Sequence, residues 1–199
     1  MTPRETLAHL VASSQDPESR VSASTETQRP HPEPVPIRLL RTLEDTPLSP
    51  QSLADQADIP RQRVYRVLDP LNSLGVVDHP ESLFRLTGTG AAFLTAYTEA
   101  TATITPETIG YLARSVHRGR LLQRLADGPV SRRELSEDPT APSDSTIRRS
   151  LRTFEEHGWL TRTADNRFEA TDMGKRVAET FRWLVDATEQ ILAADPFLR

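Results

Sequence analysis

The 199-residue sequence predicts a mainly α-helical fold with small β-wings, in which one unit of helices and a hairpin occurs twice in tandem. Three pairs of segments match at offsets of 82, 83 and 84 residues: IRLLRTLEDTPLSPQSLA (37–54) with GRLLQRLADGPVSRRELS (119–136), VYRVLDPLNSLG (64–75) with IRRSLRTFEEHG (147–158), and FRLTGTG (84–90) with FEATDMG (168–174). The added residues fall between helices and at a hairpin tip, where insertions are tolerated. We therefore interpret the chain as a duplication.

Each copy is predicted to contain a helix, a short helix, a turn, a third helix, two short β-segments and a final helix. In the second copy, Ile147, Leu151 and Phe154 recur at helical spacing, and Gly158 then ends the helix. The first copy repeats the pattern with Val64, Leu68, Leu71 and Gly75. A helix, a turn and a helix followed by a hairpin is the winged helix-turn-helix order, so the predicted fold is two tandem domains of that class.

The repeat predicts how the chain is divided. ETLAHLVASS (5–14) resembles ETIGYLARSV (107–116), which assigns the N-terminal segment to the first copy as a helix. The segment that follows is rich in Pro, Ser, Thr and Glu and cannot bury enough apolar surface to order itself, so we expect a flexible insertion. A phosphorylated or partner-binding segment is the alternative. The predicted division is an N-terminal helix at 1–14, the insertion at 15–36, unit one at 37–100, unit two at 105–183, and a C-terminal helix at 172–194.

Composition excludes several kinds of chemistry. Cysteine is absent, which removes disulfides, thiolate zinc sites and cysteine nucleophiles. The five histidines are scattered, and neither a phosphate-binding glycine loop nor a nucleophile motif occurs, so we expect no enzyme, metal or cofactor. Because no segment reaches the ~20 apolar residues of a membrane span and no secretory signal is evident, we expect a cytoplasmic protein without membrane contact.

Unit two resembles a known family. Its segments ETIGYLARSVHRGRLLQRLADGP, STIRRSLRTFEEHGWL and FEATDMGKRVAETF are similar to those of winged helix-turn-helix transcriptional regulators common in haloarchaea, and residues 37–97 resemble the same family more loosely. The resemblance implies sequence-specific binding to double-stranded DNA. The net charge of −4 argues in the other direction, because DNA-binding proteins usually carry a basic surface.

The third helix of this fold enters the major groove, so its exposed side chains are the candidate DNA contacts. Arginine can bind guanine edges or phosphates, and Ser, Thr and Gln can bind bases or backbone. The simpler interpretation is a solvated helix face. The candidates in unit two are Ser145, Thr146, Arg148, Arg149 and Arg152 on the third helix, Arg162 and Arg167 in the wing, and Arg132 and Arg133 on the short helix; those in unit one are Arg61, Gln62, Arg63 and Arg66.

Unit one is expected to bind DNA less well than unit two. Pro70 lies within its third helix, where it should kink the helix or end it after Asp69. Its wing carries Glu81, which phosphate would repel. A protein partner for unit one is therefore the alternative.

The C-terminal helix predicts how the protein assembles. Val177, Phe181, Leu184 and Ile191 form a heptad-like apolar stripe, which we interpret as a homodimer seam. The alternative is that the stripe packs on unit one of the same chain. A twofold dimer would place two third helices about one DNA turn, ~34 Å, apart on a palindromic operator, or the tandem copies within one chain could act as the two readers.

Two functional hypotheses follow. The first is a sequence-specific transcriptional regulator that represses by blocking access to its operator. The second is an adaptor whose tandem winged helices bind proteins in a chromosome-organisation or other complex. The two hypotheses combine if unit two binds DNA while unit one binds a partner.

Overall fold

The computed structural model describes residues 33–194, which form the predicted tandem winged helix-turn-helix fold. The helices are α1 Val35–Thr42, α2 Pro50–Ala57, α3 Arg61–Asn72, α4 Gly88–Thr101, α5 Pro106–Ala113, α6 Val116–Ala126, α7 Arg132–Glu137, α8 Asp144–Glu156 and α9 Asp172–Ala193. The strands are β1 Val77–Asp78, β2 Arg85–Leu86, β3 Leu160–Arg162 and β4 Phe168–Ala170. Unit one holds α1 to α4 with the antiparallel hairpin β1–β2, and unit two holds α5 to α9 with β3–β4.

The predictions for the N-terminal helix at 1–14 and for most of the insertion lie outside the described residues. The insertion was predicted to extend to residue 36, but α1 begins at Val35 and is preceded by Pro34 at its N-cap. Val35 and Pro36 are buried in its first turn. The last two residues of the predicted insertion therefore belong to this helix.

The helix ends agree with the sequence signals. Ser49 and Thr105 cap α2 and α5 by accepting the amides of Ser52 and Thr108, and a proline occupies the first position of each helix. Ser131 and Glu134 form the capping box of α7. After the third helix of each unit, Gly75 and Gly158 have φ values of 66° and 69°, the left-handed conformation that glycine adopts without strain.

Pro70 does not end α3, which rules out one of the two outcomes expected for that residue, while the expected kink stays a prediction. The helix continues through it to Asn72, and Leu68 and Leu71 on either side are fully buried. Proline removes one helical hydrogen bond, but burial of the two leucines favours the helical path. The third helix of unit one is thus complete.

Each wing is joined to its unit by the same set of contacts. A backbone bridge links Leu48 to Phe84 in unit one, and the equivalent bridge links Val130 to Phe168 in unit two. These bridges add a third short β-segment to each two-stranded hairpin. The repeat therefore extends from sequence to backbone hydrogen bonding.

The junction between each wing and the following helix is also duplicated. The hydroxyls of Thr87 and Thr171 accept the amides of Gly90 and Gly174, both at 3.1 Å. The same hydroxyls donate to the carbonyls of Gly75 and Gly158, respectively. A Cβ at either helix glycine would overlap a backbone carbonyl oxygen, that of Val76 in unit one and that of Trp159 in unit two. Close packing at this junction therefore requires glycine.

The C-terminal helix α9 packs within its own chain. It contacts α6 of unit two and α4 of unit one, and the cores of the two units form one continuous apolar cluster. Val177, Phe181 and Leu184 are buried in that cluster, and Ile191 is half-buried against it. For Val177, Phe181 and Leu184 this packing agrees with the intrachain alternative, since unit one and α6 cover their apolar face, and the homodimer seam stays a prediction.

None of the helices within residues 33–194 combines the length and apolar character that are needed to cross a bilayer.

The wing junction leads to a prediction about stability. In Gly174→Ala the new methyl group meets the backbone of Trp159, which cannot rotate away, so we expect a loss of about 1–3 kcal/mol of unfolding free energy. The measurement is thermal or urea unfolding. Gly88→Ala is the matched control, because a Cβ at Gly88 meets nothing within 4 Å. If the two variants were equally stable, close packing at the wing junction would not require glycine at position 174.

Candidate nucleic-acid interface

The third helix of unit two, α8, divides cleanly into a buried and an exposed face. Ile147, Leu151 and Phe154 point into the core, together with Ser150. The predicted DNA-contacting residues Ser145, Arg148, Arg149 and Arg152 are exposed on the opposite face, whereas Thr146 is half-buried. The structure therefore places four of the five predicted α8 residues on one solvent-facing surface.

Hydroxyl groups organise the N-terminal end of α8. Ser143 caps the helix by accepting the amide of Thr146. Its hydroxyl also lies 3.0 Å from the Ser145 hydroxyl and 2.9 Å from the Thr146 hydroxyl. The first turn thus presents a cluster of short polar groups at the positively polarised end of the helix dipole, where phosphate is favoured.

A basic cleft lies between α7, α8 and the wing of unit two. Its volume is about 610 Å³, and its lining includes five of the predicted arginines: Arg132, Arg133, Arg148, Arg152 and Arg162. Glu155 is the acidic residue of that lining. The fold therefore collects arginines from the short helix, the third helix and the wing into one concave surface.

Most of these arginines are paired with carboxylates on the same surface. Arg148 and Arg132 approach Asp144 at 3.0 Å and 3.6 Å. Further pairs join Arg152 to Glu156 at 2.8 Å and Arg133 to Glu137 at 2.7 Å. All the partners are solvent-exposed, and such pairs typically contribute only about 0–1 kcal/mol, so an incoming phosphate can replace the carboxylate at little cost.

Arg149 differs from the other arginines of α8. Its side chain is exposed and forms no ion pair or hydrogen bond with any residue between 33 and 194. Its guanidinium therefore keeps all its donors for an external acceptor.

The two predicted wing arginines have different roles. Arg162 is exposed, pairs with Glu155 at 2.9 Å and lies over the ring of Phe168. Arg167 is half-buried and donates to the carbonyl of Pro129 and, at 2.9 Å, to Glu134. The structure thus holds Arg167 in an internal contact between the wing and α7, and Arg162 is the wing arginine that lies in the cleft.

The contact of Arg167 reinforces the start of α7. Glu134 accepts the backbone amide of Ser131 at 2.7 Å within the capping box. Hydrogen bonding to Ser131, together with the charge of Arg167, lowers the pKa of the Glu134 carboxyl. The capping box and the wing are therefore coupled through one carboxylate.

Unit one presents a weaker basic surface. Arg61 lies over the ring of Tyr65 and donates to its hydroxyl at 3.3 Å, while Gln62 and Arg66 are exposed on the same helix. Arg63 is half-buried and has an interaction partner. The four candidates thus remain on α3, but they differ in how accessible they are.

The wing of unit one is acidic. Arg85 pairs with Asp78 at 2.6 Å, and this hydrogen bond raises the pKa of Arg85. Glu81 is exposed at the wing tip with a φ of 50°. His79 stacks on Phe84, with ring centroids 4.1 Å apart, which fixes the wing against the core. This wing offers phosphate no unpaired cation.

Sequence reasoning identified the arginines but missed their acidic partners. The spacing of Asp144 to Arg148 and of Arg152 to Glu156 is i,i+4 on a helix, which is the local signal that could have predicted both pairs. The partners of Arg162 and Arg167 come from other elements, so no local spacing could have predicted them.

The fold and the repeated wing contacts define a protein of tandem winged-helix domains. Comparison with family models adds the family: the model of the HVO_A0261 N-terminal domain matches twice, over residues 34–108 and 106–193. Since the two matches cover most of the chain, it belongs to this haloarchaeal family, in a tandem form. No curated protein matched the chain.

The Glu134 carboxylate generates a prediction about pH. Because its folded pKa is lowered, its contribution to stability is present above the usual carboxyl pKa of 4.5 and is lost as the pH falls through the lowered value. Glu134→Gln should therefore be less stable than the parent at pH 7, and the difference should shrink in acid. Urea unfolding between neutral and acidic pH measures it. Glu137→Gln, on the same helix but outside the capping box, is the control; an equal effect there would refute the prediction.

Proposed function

We propose that the protein is a sequence-specific regulator of transcription that binds double-stranded DNA mainly through unit two. The observation that carries the proposal is the exposed arginine face of α8, which borders a cleft containing arginines from three elements. A winged helix inserts its third helix into the major groove, and the neighbouring elements contact the backbone. Arg148, Arg149 and Arg152 are then the base or phosphate contacts in the groove.

The net charge of −4 does not oppose this proposal. Attraction to DNA depends on the local field, and screening at 0.15 M salt limits that field to about 8 Å. Around the cleft, cations outnumber acids in the lining, whereas much of the acidic charge lies elsewhere in the chain. The basic cleft of unit two is therefore the surface to which DNA would be attracted.

Regulation by steric block fits this mode of binding. A bound winged helix covers the major groove and the adjoining backbone, which excludes other proteins from that site. As genomic DNA is the partner, we place the protein in the cytoplasm.

An adaptor role is the second candidate, and unit one favours it. The wing of unit one pairs its arginine internally and exposes Glu81, and Arg61 on α3 is engaged by Tyr65. This wing, whose arginine is paired with Asp78, suits a protein partner better than phosphate. Under this alternative, unit one recruits a protein while unit two binds DNA, or both units bind proteins.

Replacing Arg149 tests the DNA-binding surface. Arg149→Ala should weaken binding to a selected genomic fragment by about tenfold. It should also lower the slope of the logarithm of the binding constant against the logarithm of the salt concentration by about one, the value expected for one phosphate contact. Fluorescence anisotropy with a labelled duplex, at several salt concentrations, gives both values. Arg182→Ala on α9 is the matched control, since it removes an exposed arginine and the same charge outside the cleft. Equal losses in the two variants, or no binding of the parent to any fragment at low salt, would reject the proposal.

Removing an acidic partner should have the opposite effect. Glu156→Gln frees Arg152 from its ion pair and removes one negative charge beside the groove, so DNA affinity should rise several-fold. The same anisotropy titration measures the change. Glu189→Gln on α9 removes an equal charge from a distant exposed position and should change the affinity much less. If Glu156→Gln binds no more tightly than this control, the carboxylates do not compete with DNA.

A further inference from the structure

The last helices of the two units form a pair. Helices α4 and α9 occupy equivalent places in the repeat, and they pack directly against each other. Gln190, Ile191 and Ala194 at the end of α9 face Gly88 and Thr89 at the start of α4 across a groove of about 850 Å³. The two helices therefore run antiparallel, as equivalent helices do across a twofold axis.

In this packing, α9 extends from the base of the wing of unit two toward the base of the wing of unit one. At its start, Thr171 caps α9 and donates to the carbonyl of Gly158 at the base of the wing of unit two. At its end, α9 lines one groove with Gly75 and Thr87, the matching residues at the base of the wing of unit one. A helix of 22 residues is about 33 Å long, and the bases of the two wings lie toward its opposite ends.

We propose that a single chain binds DNA as an internal pair, with unit two and unit one contacting neighbouring segments of one duplex about one helical turn apart. This inference rests on the proposed DNA binding. The length of α9, which spans the two units, is close to the ~34 Å between the half-sites that helix-turn-helix dimers read with their recognition helices. The pair needs no second copy, because Val177, Phe181 and Leu184 are buried between the units of one chain.

The two halves of the bound site are unequal. Unit one contributes Arg66 and Gln62, which are exposed, and Arg66 has no ion pair or hydrogen bond within the described part of the chain. Its wing adds Glu81 and the neutralised Arg85. Unit two therefore supplies most of the specificity, and unit one adds phosphate contacts that extend the footprint without requiring a palindrome.

Duplex length is the experimental variable that tests this arrangement. The full chain is titrated by anisotropy against labelled duplexes of about 10 and about 24 base pairs that share one selected half-site for unit two. The short duplex accommodates one unit, and the long duplex accommodates both. We expect the parent to bind the long duplex at least tenfold more tightly, as one chain per duplex, with two protected patches on the same DNA face in hydroxyl-radical footprinting.

Two variants separate this inference from the proposed function. Arg66→Ala should weaken binding to the long duplex several-fold more than binding to the short duplex, whereas Arg149→Ala should weaken both to a similar degree. Arg182→Ala is the control, and thermal unfolding confirms that each variant is folded. An unchanged affinity of Arg66→Ala for the long duplex, or two chains on that duplex, overturns the internal pair while DNA binding stands. Failure of the parent to bind either duplex overturns both.

Discussion

The burial of one face of α9 between α6 and α4 is the interaction on which the arrangement of both units depends. Phe181 and Leu184 lie in a core that is continuous across the two units, and each such side chain contributes about 1.5–3 kcal/mol through burial. Through these contacts α9 joins the core of unit two to that of unit one.

The second constraint is electrostatic and acts locally. Six of the arginines predicted as contacts in unit two are paired with nearby carboxylates: Arg132, Arg133, Arg148, Arg152, Arg162 and Arg167. Each pair adds a small cost to the binding of a polyanion, because the carboxylate must be displaced, and the costs of several pairs add up. They favour ligands that offer several correctly spaced phosphates together with base contacts. Only such ligands form enough new contacts to replace the ion pairs that are broken. The net charge of −4 is in this way compatible with the DNA-binding surface proposed for unit two.

Local signals in the sequence predicted most of the fold. The features that the sequence did not predict depend on contacts between distant residues. The capping box at Ser131 and the apolar spacing of Ile147, Leu151 and Phe154 depend on neighbours within one helix, so the sequence carries them directly. The stripe on α9 showed which face is buried but not what covers it, because a heptad pattern suits an intrachain partner as well as a second copy. Likewise, the exposed arginines of α8 were predictable, whereas the internal contact of Arg167 depends on residues more than 30 positions away.

The comparison of the two units separates what the fold requires from what function can change. The threonine and glycine of each wing junction are retained, because a larger residue at Gly90 or Gly174 would collide with backbone that cannot move. The bridges at Leu48 and Val130 are retained for a similar reason, since they satisfy backbone groups beneath the wings. The exposed positions are under no such constraint, and there the units differ: Arg162 faces the cleft in unit two, while Glu81 lies at the wing tip of unit one. A duplicated domain with a fixed interior and a free surface can therefore divide one task, and under the proposed DNA binding unit two provides recognition while unit one adds reach along the duplex.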